Sequence, residues 1–89
     1  MTTRLQSLLH RSARAIEPAD IFAAFRRIAR QQWGSVVPYE PVRYGRGVLT
    51  VRCSSPLWRT ELLYNTEWMV GALLRDLPLL TLHRVTVLL

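Results

Sequence analysis

The sequence contains no lysine, a single cysteine and no long run of apolar residues. Cys53 is the one thiol in 89 residues, so an intramolecular disulfide framework is excluded. The longest apolar stretches, residues 69–74 and 77–82, are far shorter than the roughly 20 residues of a transmembrane helix. The first residues lack the hydrophobic segment of a secretory signal. We therefore expect a protein of the reducing cytoplasm that does not enter a membrane.

Positive charge exceeds negative charge twofold. The chain has 12 basic and 6 acidic residues, a formal charge of +6, and every basic residue is arginine. A guanidinium binds phosphate through two parallel hydrogen bonds and stacks on bases, which an ammonium cannot do. The codon preference of a G+C-rich genome also accounts for the missing lysine, but it does not account for the net charge. The charge therefore favours a polyanionic partner or an acidic protein surface.

Groups that perform catalysis or hold metal ions are scarce. His10 and His83 are the only histidines, and they lie in different predicted elements. Cys53 falls on the apolar face of a predicted strand, so we expect it in the core rather than as a nucleophile. One thiol and two separated imidazoles are too few for a structural zinc site, and the short Gly45–Gly47 segment is not a phosphate-binding loop. We expect no enzyme activity, no cofactor and no metal.

Hydrophobic periodicity predicts an α+β fold with the element order α-α-β-β-α-β. The predicted helices cover residues 4–16, 18–33 and 56–77, and the predicted strands cover residues 42–44, 48–53 and 82–88. Residues 1–89 then form a single domain, in which an N-terminal helix (1–16) precedes a core (18–89). Pro18 and Pro56 suit the first positions of their helices, and Pro78 suits the end of the last one. We expect a three-stranded sheet with the helices packed on one face.

The segment Gly45-Arg46-Gly47 separates two of the predicted strands. Its glycines supply the positive φ angles that a tight turn requires, which predicts a β-hairpin. Alternation along the second strand separates an apolar face from a face that carries Thr50 and Arg52. Cys53 lies on the apolar face.

Arginines on separate elements are the candidate nucleic-acid-binding residues. They are Arg26, Arg27 and Arg30 on the second predicted helix, Arg43, Arg46 and Arg52 on the hairpin, and Arg59 at the start of the long helix. We expect them to gather on one surface when the chain folds. Phosphate contacts position a protein on nucleic acid without reading its sequence, so the predicted binding has weak sequence preference.

Aromatic residues on the long helix are candidates for a protein contact. Trp58 and Leu62 fall on the predicted core stripe, whereas Tyr64 and Trp68 fall towards its flank. Partly exposed aromatic side chains are frequent anchors of protein interfaces. We therefore predict that Trp68 and Tyr64 bind a partner protein.

The run from Val48 to Leu62, VLTVRCSSPLWRTEL, resembles the DciA family. The family pattern is a glycine, an apolar alternating strand, a pair of small residues, and then a tryptophan and a Glu-Leu pair on a helix. Trp33, Pro41 and the closing strand at residues 82–87 also fit this pattern. The similarity covers residues 20–89.

The resemblance implies a KH-like domain that binds DNA and helps to load the bacterial replicative helicase DnaB. It also implies a role without ATPase activity, which agrees with the lack of a phosphate-binding loop. Val37-Pro38 stands where the family has a Val-Gly pair. We therefore expect a nucleoid-associated accessory protein of DNA replication, whose partners are single-stranded or duplex DNA and the helicase.

Two other functions fit the same residues. An RNA- or ribosome-associated KH-like factor would use the same positive charge, although the sequence lacks the Gly-x-x-Gly loop of nucleic-acid-binding KH domains. A protein-interaction module without nucleic acid would use an exposed strand edge or the region of Trp68, either with a different protein or as a homodimer.

Overall fold

The structure, a computed structural model, describes residues 16–89. The predicted helix at 4–16, with His10, therefore lies almost entirely outside the described residues. The described elements are α1 (Pro18–Trp33), β1 (Tyr39–Gly45), β2 (Val48–Cys53), α2 (Pro56–Tyr64), α3 (Thr66–Asp76) and β3 (Arg84–Leu88). This is an α+β fold with helices packed against a three-stranded sheet, as the periodicity predicts.

The three strands form one mixed sheet in the order β1-β2-β3. β1 and β2 are antiparallel and form the predicted hairpin. β2 and β3 are parallel, because α2 and α3 carry the chain back to the starting end of the sheet before β3 begins. β2 is therefore the central strand.

The hairpin turn differs in detail from the prediction. Positive φ angles occur at Arg46 (52°) and Gly47 (77°), and Gly45 is not among the residues with positive φ. Two successive positive φ angles are typical of the type I′ turn, whose twist matches that of a two-stranded ribbon. The left-handed conformation therefore falls on one glycine and one arginine.

The core lies between the helices and one face of the sheet. From the sheet it contains Leu49, Val51 and Cys53 of β2 and Val85 and Val87 of β3. From the helices it contains Ile21, Ala24, Phe25, Ile28, Ala29, Leu62, Met69, Ala72 and Leu73. Cys53 is buried, as the alternation predicts.

The predicted long helix over residues 56–77 is two helices, and Asn65 separates them. The Asn65 N–H donates to Leu62 O at 2.9 Å, which is three residues back rather than four. The Asn65 side-chain amide donates to Glu61 O at 2.7 Å and takes the place of the missing backbone bond. Asparagine competes with the helix in this way through its own hydrogen bonds, which periodicity alone does not reveal.

The predicted strand bounds were also wrong at three ends. β1 begins at Tyr39 and ends at Gly45 rather than covering residues 42–44, and β3 begins at Arg84 rather than at residue 82. Residues 39–41, which the prediction left between the second helix and the first strand, therefore belong to the sheet. Pro41 fits there because β1 is an edge strand with an irregular register between Pro41 and Arg43.

A row of aromatic rings ties the helices to β1. Trp33 at the end of α1 lies edge-on to Tyr39 at a centroid distance of 4.9 Å and to Trp68 at 6.1 Å. Tyr39 also packs edge-on against Trp58 at 6.1 Å, and its hydroxyl donates to Trp58 O at 2.8 Å. Burial raises the pKa of Tyr39 to about 12, with a smaller effect from the negative charge of Glu61. The row fixes the positions of three helices relative to the sheet.

Replacement of Gly47 by alanine is expected to lower the free energy of unfolding by about 1–2 kcal/mol, the cost of a left-handed residue with a Cβ. The φ of Gly47 is +77°, and a Cβ there would overlap the ring of His83. Gly45→Ala is the matched control, because a Cβ at Gly45 meets no atom within 4 Å. Urea denaturation of both variants measures the difference, and equal stabilities would contradict the turn assignment.

One of the three tyrosines is expected to ionise with a pKa of about 12, against the ordinary value near 10. Because the folded pKa is the higher one, the stability that Tyr39 contributes is intact below pH 10 and declines between pH 10 and 12. Absorbance at 295 nm resolves the late titration, and Tyr39→Phe should remove it. A titration of the folded protein with no component near pH 12 would contradict the burial of Tyr39.

Candidate nucleic-acid interface

The face of the sheet that points away from the three described helices is polar and basic. We call this surface the open face. Its residues follow from the strand registers and are Glu40, Arg43, Val48, Thr50, Arg52, Arg84, Thr86 and Leu88. All three of its arginines are exposed.

Small threonines occupy the centre of the open face. Thr50 on β2 is paired with Arg43 on one side and Thr86 on the other. The Thr86 hydroxyl donates to Thr50 Oγ1 at 3.2 Å. Thr50 is only 5% exposed, so the pair lies beneath the longer arginine side chains of this face.

The arginines of the open face come from all three strands. Arg52 on β2 is paired with Glu40 and Leu88, and Arg84 on β3 is paired with Val48. The standard strand separation and rise place the Cα atoms of Arg43, Arg52 and Arg84 roughly 8–14 Å apart. Three long cationic side chains at this spacing can contact the phosphates of one stretch of nucleic-acid backbone.

Sequence analysis did not include Arg84 among the candidate nucleic-acid-binding residues. The signal was present, because Arg84 alternates with Thr86 and Leu88 along the last predicted strand. It could not be used without the register, which places β3 beside β2 and puts Arg84 on the same face as Arg52.

Arg46 lies at the tip of the hairpin, just before β2. Arg84 lies at the same end of the sheet, because it begins β3 and pairs with Val48 at the start of β2. The φ of 52° at Arg46 is unusual for a residue with a long side chain. Asparagine or glycine would adopt this conformation at lower cost. The turn thus presents a guanidinium at the edge of the open face at some expense in stability.

The arginines of α1 lie outside the open face. Arg26 and Arg30 line an open depression of about 290 Å³ between α1 and β1, together with Ser35, Val37, Tyr39 and Glu40. Arg27 forms an ion pair with Asp76 at the end of α3. Arg27 is therefore partly neutralised and belongs to the helix layer.

Arg59 lies at the opposite edge of the sheet. Its Nε donates to Val87 O on β3 at 3.4 Å. The seven predicted arginines thus divide among the open face, the α1 depression, an ion pair in the helix layer and the β3 edge. Arg43 and Arg52 share the open face, Arg46 lies at its turn end, and the structure adds Arg84 to this face.

A second, apolar surface lies on the helix layer. We call it the α2 face and define it by Leu57, Trp58, Leu63, Tyr64 and Trp68, all of which are exposed. Of the α2 residues, all of which the structure describes, Leu62 is the one that is buried. The Tyr64 side chain is 86% exposed, whereas Trp68 is 39% exposed and packs on Trp33. Trp58 is also more exposed than its place on the predicted core stripe suggests.

The described part of the chain contains neither a metal-binding cluster nor a membrane-spanning helix. Among residues 16–89, no three histidine, cysteine or acidic side chains come together in a way that could hold a metal ion. Within the same residues, no helix combines the length and the apolar character needed to cross a membrane.

One of the comparisons with known proteins identifies a family. No curated protein and no solved structure matches the chain significantly. A family model described as "Dna[CI] antecedent, DciA" matches residues 4–87, which is nearly the whole chain. The match includes the hairpin and the start of α2, where the sequence resemblance lies. The chain belongs to the DciA family.

Proposed function

We propose that this protein is a non-enzymatic accessory factor of DNA replication that binds DNA through the open face. Membership of the DciA family suggests a role related to loading of the replicative helicase DnaB. DNA binding is the finer step, and the observation that supports it is the convergence of Arg43, Arg52 and Arg84 on one exposed face. We place this activity in the cytoplasm, at the nucleoid.

The chemistry of the open face favours the sugar-phosphate backbone over the bases. As the described residues define it, this face carries no aromatic side chain on which a base could stack. Its exposed donors are guanidinium groups, which bind phosphate oxygens. We therefore infer binding with weak sequence preference and strong dependence on salt.

The helicase contact is proposed for the α2 face. The DciA family implies association with DnaB, and a contact through exposed apolar side chains of the helix layer leaves the open face of the sheet free for DNA. Leu63 and Tyr64 are exposed apolar side chains at the end of a helix, and aromatic anchors of this kind supply much of the energy of protein interfaces. This assignment retains the predicted partner residues Trp68 and Tyr64.

Replacement of Arg52 and Arg84 by glutamine is expected to weaken DNA binding and to flatten its salt dependence. For two lost phosphate contacts, the slope of log affinity against log salt should fall by about 1.8 on duplex DNA and about 1.4 on single-stranded DNA. Fluorescence anisotropy with labelled oligonucleotides of both forms measures this slope.

The matched control is Arg27→Gln with Arg75→Gln, which removes the same charge from the helix layer, where both side chains are exposed. This variant should keep most of the slope. Equal losses in the two variants would show that net charge, not the open face, governs binding. RNA of matched length serves as competitor, and a clear preference for RNA would favour the alternative function.

Tyr64→Ala is expected to reduce the retention of DnaB on the immobilised protein by about fivefold or more, as for an interface anchor worth at least 1 kcal/mol. Its high exposure makes a folding defect an improbable cause of the loss. Val36→Ala is the control, because Val36 is equally exposed but lies in the α1–β1 connector. Unchanged retention of DnaB by Tyr64→Ala would contradict the assignment of the α2 face.

A further inference from the structure

Glu40 is the one acidic residue of the open face, as the described strands define that face. On β1 it is directly paired with Arg52. It also lines the depression between α1 and β1 that contains Arg26 and Arg30. The Glu40 carboxylate therefore lies between the arginines of the open face and the two arginines of the depression.

The position of this carboxylate opposes the passage of a polyanion. A nucleic-acid backbone that continues from Arg52 towards α1 must bring its phosphates close to Glu40. The repulsion between two negative charges about 8 Å apart in water lowers the binding affinity by about a factor of two. The reduction is larger where the surface excludes solvent. Glu40 is also the cross-strand neighbour of Arg52, and opposite charges in such a pair attract each other.

We propose that Glu40 limits the affinity of the protein for nucleic acid and confines the bound strand to the open face. With Glu40 present, Arg26 and Arg30 stand apart from the bound backbone. Without its charge, the repulsion that separates the depression from the open face is removed. The two α1 arginines then join the binding surface. This inference rests on the proposed function, because it concerns the same surface and the same class of ligand.

Glu40→Gln tests the proposal, because it keeps the shape of the side chain and removes the charge. We expect DNA affinity to increase by about two- to fivefold at low salt. The salt slope should increase by up to about 1.8 on duplex DNA, because two further phosphate contacts become available.

Glu67→Gln is the matched control. It makes the same change in net charge on an exposed residue of α3, in the helix layer. Equal gains in Glu40→Gln and Glu67→Gln would overturn the proposal, because the effect would then come from overall charge.

A second set of variants tests the role of the α1 arginines. Arg26→Gln with Arg30→Gln should have little effect on binding by the wild type but should abolish the gain of Glu40→Gln. Loss of binding of the same size in both backgrounds would overturn the proposal, since the α1 arginines would then contact the strand whether or not Glu40 is charged.

Retention on a heparin column separates this proposal from the proposed function. If the wild type fails to bind DNA but Glu40→Gln elutes at higher salt than Glu67→Gln, DNA binding by the native protein is contradicted while the restraint by Glu40 is supported. If Glu40→Gln and Glu67→Gln elute together, the restraint by Glu40 is contradicted, whatever the wild type does with DNA.

Discussion

The alternation of side chains along β2 is the constraint on which the rest of the structure depends. Its inward positions, Leu49, Val51 and Cys53, are buried against the helices. The same alternation forces Thr50 and Arg52 onto the opposite face. Since β2 pairs with both other strands, its register determines which residues of β1 and β3 share each face. A shift of one residue would bury Arg52 and expose the core, so the core that stabilises the fold also determines where the arginines lie.

The fold thereby separates two kinds of chemistry. The sheet presents guanidinium groups on one side, and the helix layer presents exposed apolar side chains, with Tyr64 the most exposed of them. Between them, the aromatic row from Trp33 to Trp58 connects α1, β1 and α2. The proposed contacts with DNA and with the helicase would thus fall on separate surfaces and would not compete.

Much of this fold could be predicted from local patterns. The α1 bounds, the hairpin and the burial of Cys53 follow from periodicity, and the family resemblance identified the motif around the start of α2. The division of the long helix at Asn65 could not be predicted, because it depends on one side chain replacing a backbone hydrogen bond. The site was predicted less well, since its residues come from separate strands. Arg84 joins Arg52 only through the β2–β3 register, and Arg27 lies on α1 in the helix layer, where it pairs with Asp76.

Chemical-shift mapping by NMR tests the central claim most directly. The amide resonances of the ¹⁵N-labelled protein would be followed as an unlabelled oligonucleotide is added at low salt. We predict that the shifts concentrate on the three strands, with the largest at Arg43, Thr50, Arg52 and Arg84, while α2 and α3 change little. Shifts that concentrate on α2 and α3 and leave the strands unchanged would contradict the account.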